Sequence, residues 1–190
     1  MAASGLLSPG PYHILSYGTL LGTTFFHTFV GGIFSFQVLA RPQFSILMAK
    51  IFPVYFSLQT ALPVVLALTY PAASAGAALL GGNGTSSLSG VSGVLDPANR
   101  WSVLVPIGTA FVTALANLAV IGPATTKCMD QRKLQEKKDG KRSYDAPPHS
   151  QEMAELNKKF SLLHGVSSVL NLASFLATAA YGFTLSARLV

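Results

Sequence analysis

The sequence predicts an all-α membrane protein, a polytopic bundle of four transmembrane helices. Three observations lead to this fold class: few charged residues, their uneven placement, and four long apolar runs. Charged residues make up 11% of the chain and hydrophobic residues 50%, whereas a soluble domain carries roughly a quarter charged residues. Much of the charge lies at 127–159, where nine Lys/Arg meet six Asp/Glu. This one connector holds 15 of the 20 charged residues and +3 of the net charge of +6, and no nucleic-acid partner is expected.

Four apolar segments are long enough to cross the membrane, since a helix needs about 20 residues to span the ~30 Å hydrocarbon layer. The predicted spans cover about residues 13–38, 53–79, 102–123 and 160–186. These runs are rich in Leu, Ala and Phe and do not alternate with polar residues, so helices rather than barrel strands should satisfy the backbone in lipid. The whole chain, 1–190, is expected to form one membrane domain.

The connectors predict how the chain lies across the membrane. Residues 39–52 are expected to form a short surface helix, 80–101 a Gly/Ser-rich loop, and 124–159 a basic, solvated loop. Eleven of the thirteen Lys/Arg lie in the first and third connectors, which predicts that both face the cytosol. Both chain ends and the glycosylation sequon at Asn83 then face the lumen or exterior. An integral protein of the secretory pathway, other endomembranes or the plasma membrane is expected.

Five polar side chains within the predicted spans are candidate site residues, because such groups are costly in lipid and tend to face the bundle interior. Counting along the helices predicts that they converge on one polar cluster in the half of the bundle nearer the cytosol. Interhelical hydrogen bonding is the competing interpretation, since the same side chains commonly pack membrane helices. The five residues are His27, Gln59, Asn117, His164 and Asn171.

His27 and His164 are the candidate metal ligands, and metal or haem binding is one reading of the cluster. No carboxylate or cysteine lies within the predicted spans, so metal binding has little support beyond the imidazoles. The single Cys128 excludes an intramolecular disulfide or a multi-cysteine metal site. Hydrolase and ATPase motifs are absent from the sequence. No catalytic residue is therefore assigned, no cofactor is expected, and a non-enzymatic protein is predicted.

Small residues on the first span predict close helix contact. Gly18 and Gly22 stand four residues apart, and Gly32 continues their stripe. Such stripes let a neighbouring backbone approach. Packing within the bundle and formation of a homo-oligomer both remain open.

Several short motifs, in one order along nearly the whole chain, resemble the transmembrane protein 205 family. They are His27-Thr28-Phe29-Val30-Gly31-Gly32, Arg41-Pro42-x-Phe44, Lys50-Ile51-Phe52-Pro53-Val54-Tyr55-Phe56, Gly122-Pro123-Ala124-Thr125-Thr126, Asn157-Lys158-Lys159-Phe160, His164-Gly165-Val166-Ser167 and Asn171-Leu172. The resemblance implies a four-helix membrane protein without a settled biochemical activity. One member of that family is associated with platinum-drug resistance and secretory-pathway membranes, and the architecture is remotely similar to families linked to copper handling.

Three functional hypotheses follow. The first is a non-enzymatic protein whose polar cluster admits a metal ion or small polar solute, with a role in metal or drug tolerance. The second is an organising protein that binds a partner or anionic lipid headgroups through the basic loop 124–159. The third is a membrane oxidoreductase with bound haem or metal. The lipid bilayer is the expected partner in every case.

Overall fold

The computed structural model describes residues 8–71 and 88–189, and it confirms the predicted all-α membrane fold. Within these ranges the chain forms helices and turns without any strand. Four helices are long and apolar enough to cross a membrane. In chain order the elements are α1 (Pro9–Val38), α2 (Arg41–Leu68), the short helix α3 (Gly90–Val94), α4 (Pro97–Asp139) and α5 (Gln151–Leu189).

Helix α2 begins at Arg41 and ends at Leu68, whereas the predicted span covered 53–79, of which 72–79 lie outside the described residues. The surface helix expected at 39–52 is instead the first part of α2. Pro42 occupies the first turn, where a missing N–H costs nothing, and the helix continues through Pro53 and Pro63. It ends before Pro71, a residue that disfavours helical geometry in the position preceding it.

The four long helices form a ring in the order α1, α2, α4, α5. Helix α4 packs along both α2 and α5, and α1 packs against the same two helices from the other side. Large apolar side chains such as Val54, Val112 and Phe183 point outward, with exposed fractions of 61–78%. An outward apolar surface suits lipid contact and leaves polar groups for the interior.

The basic segment predicted as a solvated loop at 124–159 is mostly helical. Helix α4 continues to Asp139, α5 begins at Gln151, and together they form a helical hairpin beyond the apolar spans. The hairpin is held by side-chain contacts: Arg132 Nε donates to Asn157 Oδ1 at 2.9 Å, and Asn157 Nδ2 donates to the Ser143 carbonyl at 3.0 Å. Lys, Glu and Gln favour helix, and Gly140, with φ at 62°, ends α4 in a left-handed conformation.

The glycine stripe of α1 does not bring another helix close within the bundle. A Cβ atom built on Gly18 or Gly22 would meet no atom of residues 8–71 or 88–189 within 4 Å. Packing within the bundle is therefore not the use of these two glycines, and a homo-oligomer remains a prediction. The sequon residue Asn83 lies outside the described residues.

Candidate functional site

A chain of hydrogen bonds joins α1, α2 and α5 in the middle of the bundle. Gln59 Nε2 donates to the Tyr55 hydroxyl at 2.7 Å, and Tyr55 donates to Asn171 Oδ1 at 2.7 Å. Asn171 Nδ2 in turn donates to Thr28 Oγ1 at 2.6 Å. Gln59 Nε2 also donates to Thr24 Oγ1 at 2.8 Å. We call these five residues and His27 the central cluster.

His27 borders the central cluster through its ring. The imidazole packs against the Tyr55 ring, with centroids 4.6 Å apart and planes inclined by 50°. The residue is half-buried, yet its Nδ1 atom is buried without a hydrogen-bond partner. His27 therefore presents an unused ring nitrogen inside the bundle and part of its side chain at the bundle surface.

Two polar residues of the predicted site each begin a π-helical turn. One turn covers His27–Gly31 in α1, and another covers Asn117–Ile121 in α4. Such turns shift side chains out of the regular α-helical register and are frequent at functional sites. The second turn requires a glycine at the residue that follows it, because a Cβ atom on Gly122 would lie 2.7 Å from the Asn117 carbonyl oxygen.

The structure brings together three of the five predicted residues: His27, Gln59 and Asn171. Asn117 lies in the next layer, where its Nδ2 donates to the Ser167 carbonyl oxygen at 3.4 Å. His164 lies outside the cluster, exposed and stacked on Phe160 with a centroid distance of 6.0 Å. His164 shares a helix face with Asn171, but their separation of seven residues corresponds to about 10 Å along the helix axis. His164 therefore lies nearer the hairpin end of the bundle than the central cluster does.

Several buried polar atoms in or beside the central cluster have no hydrogen-bond partner among the residues that the structure describes. They include Gln59 Oε1, Asn117 Oδ1 and Ser174 Oγ, and each of these residues is only 1% exposed. An unpaired buried polar group costs about 1–3 kcal/mol and marks a strained site or one that receives a further partner. Ser174 was missed in the sequence because serine is common in apolar helices, although its spacing of three from Asn171 places both on one face.

A second polar group lies at the end of the bundle where α1 begins and α5 ends, and the sequence prediction missed it. Fully buried His13 contacts Thr69 Oγ1 at 3.0 Å through Nδ1 and the Tyr181 hydroxyl at 2.6 Å through Nε2. The Thr69 hydroxyl donates to the Val65 carbonyl oxygen, so it accepts from His13 Nδ1, and Nε2 accepts from Tyr181. His13 stands at the first residue of the predicted span.

Arg188 completes this second group. Its Nη2 donates to Asn99 Oδ1 at 3.0 Å, its Nη1 donates to the Pro71 carbonyl oxygen at 3.4 Å, and the guanidinium lies 4.7 Å from the Tyr70 ring centre. The Tyr70 hydroxyl is buried without a hydrogen-bond partner. We call the group the terminal cluster: His13, Thr69, Tyr70, Asn99, Tyr181 and Arg188.

The arrangement offers a set of hydrogen bonds inside the bundle. Among residues 8–71 and 88–189, no three His, Cys, Asp or Glu side chains come together as a ligand set. With His164 at the bundle end, the predicted histidine pair does not form in this structure. Cys128 is fully buried in the hairpin, where its Sγ lies 3.6 Å from the Leu156 carbonyl oxygen.

A four-helix bundle with an apolar outer surface and a hydrogen-bonded interior defines an integral, multi-pass membrane protein. Residues 15–134 match the family described as Domain of unknown function (DUF4149). The chain belongs to this family.

A similar protein from Aspergillus fumigatus bears the name Xanthocillin biosynthesis cluster protein D. It is 32% identical to this chain over 180 residues, which cover 95% of this chain and 90% of that protein. No solved structure matches the chain.

Proposed function

We propose that this membrane protein, without being an enzyme, binds a small polar solute between the central cluster and the neighbouring Asn117 and Ser174 and thereby contributes to tolerance of small toxic molecules. One observation carries the proposal: the unpaired polar atoms of Gln59, Asn117 and Ser174, which lie buried in the apolar part of the bundle. Two of them are amide oxygens, which accept hydrogen bonds. A solute that donates hydrogen bonds through hydroxyl or amine groups would therefore offset their desolvation.

The surroundings of His27 support entry of a solute. The residue lies at a π-helical turn and is half-buried, so its ring connects the bundle surface with the buried Tyr55 hydroxyl network. Gly31 and Gly32 lie at the end of the same turn. A side chain larger than hydrogen at Gly31 would meet the Phe26 ring at 2.9 Å, so this turn accepts little additional bulk.

The similarities point in the same direction. The Aspergillus relative is named for a xanthocillin biosynthesis cluster, and the resemblance to transmembrane protein 205 implies a link to drug tolerance. Both concern small molecules, and neither requires this chain to carry out chemistry. Metal ions are the second class of solute to test, because imidazole and amide oxygen atoms both act as ligands.

Variants of the two histidines test the proposal, since one lies in the central cluster and the other outside it. Cells expressing His27→Ala or Gln59→Leu should lose tolerance to cisplatin or copper salts, whereas cells expressing His164→Ala should behave as wild type. Purified protein should also be analysed for bound metal and for a visible haem band. Equal tolerance in all three strains at equal expression would refute the proposal, and a haem band would favour the oxidoreductase hypothesis.

A second candidate function uses the helical hairpin, which carries exposed lysines where it leaves the apolar spans. Lys127, Lys158 and Lys159 are all exposed there, and each contributes about 1 kcal/mol of attraction to an anionic membrane surface. The hairpin would then organise anionic lipids or a partner. Replacing the three lysines with glutamine should release the protein from its normal membrane compartment, whereas unchanged localisation and partners would exclude this role.

We further propose that the hairpin faces the cytosol and that both termini face the lumen or exterior of an endomembrane or the plasma membrane. The excess of Lys and Arg in the first and third connectors supports this orientation. A cysteine at exposed Leu134 should react with an impermeant maleimide only when it is applied from the cytosolic side. Labelling from the opposite side would reverse the topology.

A further inference from the structure

The inner face of α5 carries polar side chains along most of its membrane-embedded length. They recur at intervals of three, four or seven residues, a spacing that keeps one helix face toward its neighbours. Ser174, Thr178, Tyr181 and Arg188 are at most 9% exposed. The stripe comprises Ser167, Asn171, Ser174, Thr178, Tyr181 and Arg188.

This stripe connects the two polar clusters. Asn171 belongs to the central cluster through its bonds with Tyr55 and Thr28. About three and five turns further along the helix, Tyr181 and Arg188 belong to the terminal cluster through their contacts with His13 and Asn99. Polar groups therefore extend through the interior from one end of the bundle toward the other.

Unpaired buried atoms occur on both sides of the bundle centre. Gln59 Oε1 and Asn117 Oδ1 are unpaired toward the hairpin end, and the Tyr70 hydroxyl is unpaired toward the terminal end. Interhelical packing explains the polar atoms that bond one another. It does not explain these three, because no hydrogen bond offsets the cost of removing them from water. A path that admits hydrogen-bonding molecules accounts for unpaired atoms at both ends.

On α1, α2 and α4, an apolar layer faces the stripe of α5 between the two clusters. Leu20, Leu66 and Ile107 are at most 6% exposed and belong to one buried core. Together with Thr178 and Tyr181 they line a cavity of about 10 Å³. A volume of this size approaches the minimum for one water molecule, so the layer closes the interior in this conformation.

We infer that the bundle interior is a transmembrane path for water and small uncharged hydrogen-bonding solutes, with Leu20, Leu66 and Ile107 as its gate. The inference rests on the proposed function, because it makes the central cluster one half of that path. Hydrophobic constrictions close channels by excluding water, and a buried arginine repels cations. Arg188 supplies that charge in the terminal cluster, and Asp96, which directly precedes α4, is the acidic residue beside the same Tyr70 ring.

Flux through reconstituted liposomes tests the inference. Leu66→Ala and Ile107→Ala widen the gate, whereas Val64→Ala and Val112→Ala make comparable truncations on the same helices at lipid-facing positions, 44% and 61% exposed. Osmotic shrinkage by stopped-flow light scattering should be several-fold faster for both gate variants than for the two controls. Urea and glycerol should enter faster in the same order, and potassium flux should stay at the protein-free level.

Two results would overturn the inference: shrinkage rates of both gate variants equal to those of their controls, or potassium flux that rises together with water flux. Circular dichroism and gel filtration establish that each variant is folded before it is reconstituted. Thr178→Val tests the path separately from the binding site, because it removes a polar group beside the gate and leaves the central cluster intact. Water flux through the double variant Leu66→Ala/Thr178→Val should be lower than flux through Leu66→Ala alone. If water flux is absent while tolerance still depends on His27, only the path is refuted. If water flux is present while tolerance does not depend on His27, only the binding proposal is refuted.

Discussion

Replacing Tyr55 with phenylalanine removes the hydroxyl that links α2 to α5. This hydroxyl accepts from Gln59 and donates to Asn171, both at 2.7 Å, and the side chain is 3% exposed. Interhelical hydrogen bonds in membranes contribute on average about 0.6 kcal/mol and at most about 1.7 kcal/mol. Tyr55→Phe removes the interhelical bond to Asn171 and the bond from Gln59 within α2, and it leaves Asn171 Oδ1 unpaired. We therefore expect it to lower the free energy of unfolding by about 1–3 kcal/mol.

Unfolding in mixed micelles by increasing SDS, followed by circular dichroism, measures this change. Tyr12→Phe is the matched control, because Tyr12 lies on the outward face of α1 with 52% exposure, and its effect should stay within about 0.5 kcal/mol. A double-mutant cycle of Tyr55→Phe with Asn171→Leu should give a coupling energy of about 0.6–1.7 kcal/mol. Equal effects of the Tyr55 and Tyr12 variants, or zero coupling, would show that the network does not hold the bundle together.

Three further predictions follow from close contacts. Gly122→Ala places a Cβ atom 2.7 Å from the Asn117 carbonyl oxygen. In thermal unfolding it should lower the free energy of unfolding of the protein by about 1–3 kcal/mol. Gly108→Ala, whose Cβ atom meets no described atom within 4 Å, should leave that free energy unchanged. Cys128 is fully buried and should react with maleimide only after denaturation in SDS; rapid labelling of the folded protein would mean that the hairpin opens. Arg132→Ala removes a hydrogen bond and a ring contact, so hydrogen exchange should accelerate in the hairpin and not in the spans.

The fold class was predictable because apolar length and charge placement are properties of the chain itself. Any segment of about 20 apolar residues must satisfy its backbone internally in lipid, and a helix does this with local hydrogen bonds. Helix ends were less predictable. Arg41 and Lys50 suggested a surface connector, yet the helix runs through both, since an exposed basic residue near a membrane surface is compatible with a continuous helix.

The basic hairpin shows a similar limit. A segment with nine Lys/Arg and six Asp/Glu suggested a solvated loop, but the same residues are good helix formers once two helices pack against each other. Arg132, Ser143 and Asn157 hold the two arms through side-chain bonds that connect residues up to 25 positions apart. Contacts of this range are invisible to local sequence patterns.

The sequence alone determined that the chain spans a membrane, that its polar residues within the spans are few, and which of them were candidates. Those conclusions follow from composition and spacing, because lipid excludes unpaired polar groups. Only the tertiary structure decided that His27, Gln59 and Asn171 meet at Tyr55, that His164 stays outside, and that His13 and Arg188 form a second group. The physical reason is that a hydrogen bond between two helices requires the rotation of each helix about its axis, and its depth in the membrane, to be right to within about one turn. Helix packing sets both the rotation and the depth.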